Sequence, residues 1–526
     1  MTRPAIAKLG PFTGGINIAS DPSSVADNEL VDCVNLELDL DGSLITRPPI
    51  TEATDNAATT TERLVMIGSA IFAGGTYIFA SNVDGTFAFN GTTWTLVRAG
   101  LQSRVAIQYN NVVYIIAQTG STNNGGYWDG TTWTTDANMP KGEAAVTYKN
   151  RLWVVPGILA PHSSAHIVSF TDIIVAGTPG LSWPSVNIIG VSVGDGQKLI
   201  DIQVYADALM LFKQDSTYVL SYDVRVTEGT LRQVSDNIGA TTRRCVVSYE
   251  NSTFVYHEGN VFEIANYSFN RINMKVPFEL DTTVPAGTTR AEEVFLCLLG
   301  DRLILNYYNR IYVYGLLTKT WSRWESSQPL FHNFGPLQEF PALPTQSALV
   351  RYYAGSAITQ YENIVVMRDG FDATTETLGA TTYPIECYIV TKNYDFGDSA
   401  HFKKLAWWGV DLLATGNITG RATPVTASEV TTWGQLNLVT WASVQASPWN
   451  NPLNKASIAV APVSTNVTDT LSAIRKFIKF LKALRFRQIN FYVKVQTTGS
   501  KAQGPTRLYS LSAIVGVKEG VVKQVS

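Results

Sequence analysis

One hairpin pattern occurs twice in this sequence and restricts the possible folds more than any other feature. In the first copy an aromatic strand end leads into an Asn-Gly turn at 90–91 and a Thr-Thr-Trp return that ends at Trp94. In the second copy an Asp-Gly turn at 129–130 leads into the same return, which ends at Trp133. Asn-Gly and Asp-Gly supply the positive φ angles that tight hairpins need, and Thr and Trp favour strands. A hairpin repeated at about forty residues is typical of a four-stranded propeller blade.

Shorter segments continue this pattern between residues 64 and 366. Each has a small turn followed by an apolar strand, and they begin at Tyr109, Tyr148, Tyr205, Tyr249 and Gly300. The last of these units returns through Thr-Lys-Thr-Trp at 318–321. Because the residues alternate with a period of two, we predict strands and six or seven blade units, with 331–360 as the candidate seventh. A series of β-sandwich modules stays open as the alternative.

The composition is typical of an all-β protein with many turns. Only 16% of the 526 residues are charged, whereas the chain has 40 glycines, 12 tryptophans and 23 tyrosines. The net charge of −3 identifies no nucleic-acid or membrane partner. The four cysteines have no metal-binding or redox spacing, so we expect buried thiols made in a reducing cytoplasm. Neither a secretory leader nor a membrane span is expected.

The first fifty residues contain the most specific motif. Taken alone, they predict an extended arm, a short helical turn over 25–33 and a hairpin at Asp41-Gly42. The motif consists of Phe12-Thr13-Gly14-Gly15-Ile16-Asn17, an acidic stretch from Glu29 that ends at Asn35, and Gly42-Ser43-Leu44-Ile45-Thr46-Arg47-Pro48. This opening resembles that of bacteriophage tail proteins, most closely the nozzle or tail tubular protein B-like proteins of short-tailed phages. Residues 394–398 and 403–405 resemble the C-terminal part of the same proteins.

The resemblance implies a structural protein of the virion tail that is assembled in the host cytoplasm. It implies a homohexameric ring, a nozzle or hub, that forms part of the exit channel and contacts double-stranded DNA nonspecifically. The implied partners are a tail adaptor ring connected to the portal, tail fibres or spikes, and a needle or plug protein. We expect no cofactor, no enzymatic activity and no membrane insertion by this chain. The alternative is a carbohydrate-binding or carbohydrate-cleaving propeller, in which Trp94, Trp133 and Trp321 stack on sugars instead of packing between blades.

Three segments are predicted along the chain. They are an N-terminal arm and hairpin at 1–50, a β-propeller-like domain at 51–372 and a C-terminal β-sandwich domain at 373–526. The Thr-, Gly- and Ala-rich stretch at 373–382 is the candidate linker. Longer strands are predicted at 385–394, 402–414, 486–497 and 507–517.

A basic segment at 471–485 breaks the β pattern. Its apolar residues recur at helical spacing, and as a helix it would be anchored by Leu471, Ile474, Ile478 and Leu481. The remaining positions carry five cations and no acid: Arg475, Lys476, Lys479, Lys482 and Arg485. We hypothesise that these cations line the DNA channel or dock an acidic partner ring. A solvated surface helix, or a pair of strands, stays open as the alternative.

Three short motifs suggest chemistry that their context does not support. Residues 190–194 match the Gly-x-Ser-x-Gly nucleophile elbow, but a β-like run follows where that motif needs a helix. The carboxylates at 37–41 resemble the start of a calcium loop, but Pro48 occupies the place of the bidentate glutamate. His162 and His166 are four residues apart, but a preceding proline argues against a helix that presents both to one metal. We therefore predict no catalytic, cofactor-binding or metal site.

Overall fold

The computed structural model of this chain consists of β-strands, and the residues it describes include no helix. Among them, accordingly, none forms a helix long and apolar enough to cross a membrane. The structure describes residues 5–52, 65–72, 75–90, 93–158, 164–175, 180–222, 229–278, 294–307, 310–325, 338–340, 347–353, 362–368, 375–378, 381–396, 403–413, 416–425, 458–459, 476–497 and 507–517.

The N-terminal arm contributes five short strands. β3 and β4 form the hairpin predicted at Asp41-Gly42, where Gly42 has a φ of 82°. The helical turn predicted over 25–33 is wrong, because residues 30–34 form a strand that pairs with a C-terminal strand. The five strands are β1 Ala5–Leu9, β2 Leu30–Val34, β3 Leu36–Leu38, β4 Leu44–Thr46 and β5 Ile50–Glu52.

Six antiparallel four-stranded units follow, and within each unit strands that are consecutive in sequence pair with one another. The first unit contains β6 Val65–Phe72, β7 Gly75–Ser81, β8 Gly85–Phe89 and β9 Trp94–Ala99, and the second contains β10 Ser103–Tyr109, β11 Val112–Ala117, β12 Gly126–Trp128 and β13 Trp133–Thr135. The third contains β14 Ala144–Tyr148, β15 Arg151–Val155, β16 Ile167–Phe170 and β17 Ile188–Gly190, and the fourth contains β18 Leu199–Tyr205, β19 Ala208–Lys213, β20 Thr217–Tyr222 and β21 Gly229–Ser235. The fifth contains β22 Val246–Tyr249, β23 Ser252–His257, β24 Asn260–Ala265 and β25 Ser268–Arg271, and the sixth contains β26 Val294–Leu299, β27 Arg302–Tyr307, β28 Arg310–Gly315 and β29 Trp321–Trp324.

The repeated hairpins of the sequence occupy equivalent places in the first two units. Trp94 and Trp133 begin the fourth strands β9 and β13, directly after the turns. In the second turn the Asp129 carboxylate accepts hydrogen bonds from two backbone N–H groups, and Gly130 has a φ of 101°. Local turn chemistry therefore produces this hairpin, as its sequence predicts.

A seventh sheet follows the six units. It also includes β5 of the arm, in the order β30-β31-β32-β5-β33-β34. The predicted linker at 373–382 contains β33, so this stretch belongs to a sheet. The strands are β30 Gln338–Phe340, β31 Ser347–Tyr353, β32 Glu362–Arg368, β33 Thr375–Leu378 and β34 Thr381–Pro384.

The seven sheets form a closed ring. Each first strand from β6 to β26 contacts the first strand of the next unit, and β30 contacts both β26 and β6. The second strands β11 and β19 are buried along their whole length, whereas the fourth strands β9 and β25 are mostly exposed. Blades that radiate from a common axis produce this gradient of burial. The predicted fold class, all-β with a propeller-like repeat domain, is confirmed.

The C-terminal strands form two sheets that incorporate the arm. One sheet has the order β3-β4-β41-β36-β39, with β1 also paired to β41. The other continues the sixth blade as a nine-stranded sheet of order β26-β27-β28-β29-β2-β35-β40-β37-β38. The strands are β35 Glu386–Thr391, β36 Lys403–Leu413, β37 Gly416–Val425, β38 Ile458–Ala459, β39 Lys476–Phe486, β40 Gln488–Thr497 and β41 Arg507–Val517.

The helix considered for the basic segment at 471–485 is wrong for its described part. Residues 476–486 form β39, which pairs with β36 along almost its whole length. Strand pairing over such a length overrides a local helical pattern. The strand alternative is therefore the correct one from Lys476 onwards.

One hydrophobic core extends from the arm through the fifth and sixth blades into the C-terminal sheets. It includes Phe12 of the arm, Tyr312 of the sixth blade and Trp408 of β36, each at most 1% exposed. The four cysteines are buried thiols that form no disulfide with one another, as expected. The division into 1–50, 51–372 and 373–526 stays a prediction; in this structure, strands of the arm pair with strands beyond residue 385.

Candidate functional site

The predicted cationic residues that the structure describes lie on β39, at the edge of its sheet among the described strands. Four belong to this strand, namely Lys476, Lys479, Lys482 and Arg485. Arg475 lies outside the described residues. Residues three apart alternate between the two faces of a strand, so the helical spacing of these cations no longer predicts one shared face. A contact with DNA or with a partner ring stays a prediction.

A second set of candidate residues comes from the N-terminal motif. Its members are polar or glycine residues of the arm at the contact between propeller and C-terminal sheets, and we call this set the junction. The junction consists of Gly15, Asn17, Glu29, Asn35 and Arg47.

Asn35 is the centre of the junction. It is 2% exposed and has a φ of 58°, a left-handed conformation that Asn tolerates better than most residues. Its Oδ1 accepts hydrogen bonds from Nε of Arg47 at 2.7 Å and from the N–H of Glu325 at 2.8 Å. Its Nδ2 donates to the carbonyl oxygen of Glu386 at 2.7 Å. One side chain thus connects the β3–β4 hairpin, the end of the sixth blade and the start of β35.

Arg47 extends this contact. It is 1% exposed, and its guanidinium donates to the carbonyl oxygens of Pro48 at 2.9 Å and of Glu325 at 3.1 Å. The guanidinium carbon lies 6.0 Å from the centre of the Trp324 ring. A buried charge is costly unless its donors are bonded. The planar set of donors in arginine allows one side chain to reach several acceptors here.

Glu29 forms another polar contact between arm and propeller. It is 4% exposed and accepts hydrogen bonds from Nδ2 of Asn17 at 2.8 Å and from Nζ of Lys275 at 2.5 Å. Burial alone would raise the pKa of Glu29, but the hydrogen bonds from Asn17 and Lys275 together hold it below its usual value. Gly15 has a φ of 69°, and a Cβ there would lie 2.8 Å from Cβ of Thr320. Glycine therefore lets the arm pass close to the β28–β29 turn.

The carboxylates of the β3–β4 hairpin bind arginines. Nε of Arg302 lies 2.6 Å from Oε2 of Glu37, and one nitrogen of Arg507 lies 2.7 Å from Asp39 and 2.8 Å from Asp41. Burial raises the pKa of Glu37, although Arg302 opposes this shift. Except for Asp41, these groups line a cavity of about 290 Å³ between the hairpin and the sixth blade. The residues that resemble a calcium loop in sequence therefore connect the hairpin to β27 and β41.

A polar cluster surrounds Lys213 on the face of the ring that carries the turns between second and third strands. The buried Nζ of Lys213 lies 2.6 Å from Oδ2 of Asp195, 3.1 Å from the carbonyl oxygen of Ser192 and 3.4 Å from Nδ1 of His166. Ser192 has a φ of 42°, and turns, not a helix, follow it. The segment therefore lacks the geometry of a nucleophile elbow. His162 lies outside the described residues.

A second polar cluster lies on the same face between the fourth and fifth blades. Asp215, His257 and Glu258 each offer a potential ligand atom, and these atoms lie within 4.8 Å of one another. Sequence reasoning missed this cluster because 42 residues separate Asp215 from His257. Their positions in the repeat were the available signal. Asp215 follows the second strand of the fourth blade, and His257 ends the second strand of the fifth blade.

The repeated tryptophans pack within the propeller. Trp321 is 5% exposed and donates from Nε1 to the carbonyl oxygen of Ile272 at 2.9 Å. Trp133 is half-buried against the core between the first two blades. Trp94 is also half-buried, with its ring centre 5.1 Å from that of Phe89. These contacts favour packing over sugar stacking.

No protein-family model matches this chain, and no curated protein matches it. Solved structures do. The extracellular domain of BT4673 from B. thetaiotaomicron is 10% identical over 68% of this chain, with a TM-score of 0.39, and the match spans 43% of that domain's length. The AfRom2 CNH domain is 12% identical, with 60% of this chain and 98% of that domain covered and a TM-score of 0.37. The WD40 domain of Neurospora crassa Pan2 is 10% identical, with 61% and 96% covered and a TM-score of 0.39. At these identities and TM-scores, the similarities support no inference about the function of this chain.

Proposed function

We propose that this chain is a structural, non-enzymatic subunit of a bacteriophage tail that forms an oligomeric ring, the nozzle or hub, around the DNA exit channel. The observation that carries this proposal is the junction. The motif by which the sequence resembles tail nozzle proteins contains the junction residues, including Asn35 and Arg47, which are buried between the propeller and the C-terminal sheets. Buried residues of this kind hold the propeller and the C-terminal sheets in one fixed geometry.

Fixed geometry is what a ring subunit needs. A ring closes only if each subunit binds its two neighbours through different surfaces at a constant angle. The nine-stranded sheet, which continues the sixth blade through β2 into the C-terminal strands, restricts relative motion of the propeller and the C-terminal sheets. The common hydrophobic core has the same effect. Both features support a role in which the chain bears load and transmits it.

The proposed partners follow from the same role. A homohexameric ring would attach to a tail adaptor ring and to fibres or spikes, and a needle or plug protein would close it. Double-stranded DNA in transit would contact the wall through few charges, because each phosphate contact adds salt-dependent attraction that slows passage. The cations of β39 are candidates for this contact or for an acidic partner ring. No cofactor is needed for such a role.

Assembly state and sugar binding distinguish this proposal from the alternative of a carbohydrate-binding or carbohydrate-cleaving propeller. The chain should be purified alone and after co-expression with the genes that neighbour its own, then studied by light scattering and negative-stain microscopy. We expect a closed ring in at least the second preparation, with a mass several times that of the 57.5 kDa chain. A stable twofold dimer in both preparations, together with binding to a glycan array, would support the carbohydrate alternative instead.

A further inference from the structure

We propose that Asp215, His257 and Glu258 form a binding site for one divalent transition-metal ion between the fourth and fifth blades. Asp215 lies in the β19–β20 turn, and His257 and Glu258 lie at the β23–β24 turn. Their potential ligand atoms are within 4.8 Å of one another. This site is independent of the proposed tail function.

The imidazole of His257 gives the first reason. The residue is 6% exposed, and its Nε2 lies 4.0 Å from Oε2 of Glu258. Its Nδ1 is buried and has no hydrogen-bond partner among the described residues. A buried polar atom without a partner is costly and therefore rare in folded proteins. Nε2, the ring nitrogen that faces Glu258, is too far from Oε2 for a hydrogen bond, and a metal ion between the two groups would give this imidazole a partner.

The charge of the cluster gives the second reason. Within the described part of the chain, neither Asp215 nor Glu258 has a Lys or Arg ion-pair partner. The nearest lysine in sequence, Lys213, directs its Nζ to Asp195 instead. Two carboxylates and a neutral imidazole carry two negative charges. A divalent cation would balance that charge.

The backbone holds the three residues in place. Glu258 and Gly259 have φ angles of 44° and 81°, and the N–H of Glu258 donates to Oγ1 of Thr241 at 3.2 Å. The N–H of Asp215 donates to Oε1 of Gln197 at 3.2 Å. Both turns are therefore fixed by hydrogen bonds to neighbouring segments. The Glu258 side chain, at 77% exposure, is free to move towards an ion.

The donor set indicates the class of metal. Ca²⁺ prefers six to eight oxygen ligands, whereas one imidazole and two carboxylates suit Zn²⁺, Mn²⁺ or Co²⁺. Zn²⁺ binds such ligands at about 2.0–2.2 Å and would retain water in a fourth position. Because the ligands come from adjacent blades, the ion would clamp the fourth blade to the fifth.

Calorimetric titration of the metal-free full chain with Zn²⁺ tests this site. We expect one saturable site per chain at pH 7.5. His257→Ala and Glu258→Gln should each weaken binding more than about tenfold. Glu250→Gln is the matched control, because Glu250 occupies a turn with a similar φ of 49° at the opposite end of β23. This variant should bind Zn²⁺ like the wild type.

Co²⁺ provides a second readout. Its visible absorption should change on binding to the wild type and to Glu250→Gln, and this change should be lost in Glu258→Gln. Glu258 is exposed, so its variant should fold, which circular dichroism can check. Unchanged Zn²⁺ affinity in both site variants, or no saturable binding by the wild type, would refute the proposed site.

Discussion

Replacing Asn35 by alanine tests whether the junction stabilises the contact between the propeller and the C-terminal sheets. The change removes three hydrogen bonds, to Arg47, Glu325 and Glu386, and leaves the buried groups of these residues without that partner. At about 1–2 kcal/mol for each of the three groups left unsatisfied, the loss is roughly 3–6 kcal/mol. Alanine in the left-handed conformation adds about 1 kcal/mol. We expect Asn35→Ala to lower the free energy of unfolding by about 4–7 kcal/mol.

Two control variants separate the contributions to this loss. Asn35→Gly accepts the positive φ but lacks the side chain, so it should recover only about 1 kcal/mol. Asn110→Ala has the same backbone problem, with a φ of 49° in an exposed turn, and should cost about 1 kcal/mol. Denaturant titration gives the magnitudes, and hydrogen exchange in β2 and β35 locates the loss. Full recovery by Asn35→Gly, or equal losses in Asn35→Ala and Asn110→Ala, would refute the role of these hydrogen bonds.

Two further variants test other buried positions. Gly15→Ala should lower the free energy of unfolding by about 2–4 kcal/mol, because it combines backbone strain with a clash against Thr320. Gly259→Ala, at a φ of 81° in open space, should cost only about 1 kcal/mol, and denaturation midpoints that show equal losses would contradict the clash. Burial raises the pKa of Asp201 to about 7, so the folded state binds the proton more tightly and its stability should fall as the pH rises from about 4 to 7. Asp201→Asn should remove this slope in denaturation measured at pH 5 and pH 8; an unchanged slope would show that other groups cause it.

The repeated hairpins could be predicted because their causes are local. Asp129 and Gly130 satisfy and shape a turn within four residues, so the sequence window contains the whole explanation. Turns between first and second strands also have a local cause, namely positive φ angles at Asn110, Lys149 and Glu250. The closure of the ring by β30 depends on contacts across about 270 residues, which no local pattern encodes.

The helical pattern of the basic segment fails to predict its structure for a related reason. Apolar residues at 477–478 and 480–481 match a helical spacing, but they also suit a strand whose two faces are both covered. Pairing with β36 decides between helix and strand, and β36 lies about seventy residues earlier in the chain. The polar cluster at Asp215, His257 and Glu258 escaped prediction because only the assembled ring brings two turns together.

The N-terminal motif shows a third limit of prediction from sequence. Its residues stood out in the sequence, and the resemblance they carry suggested a function. Their physical task, to bond Asn35 to Glu325 and Glu386, could not be inferred without the fold, because these acceptors and donors are backbone groups almost three hundred or more residues away.

The pairing of β1 with β41 has a consequence for how the chain acquires its structure during synthesis. Ala5 pairs with Val515, so β1 waits for its partner strand while the roughly five hundred residues between the two strands are synthesised. At about 5–20 residues per second this wait lasts on the order of half a minute or more. During it, the apolar arm is exposed to other chains and to chaperones. A prematurely terminated polypeptide that stops before residue 507 would lack β41 altogether, and would leave β1 and the β3–β4 hairpin without the strand on which they dock.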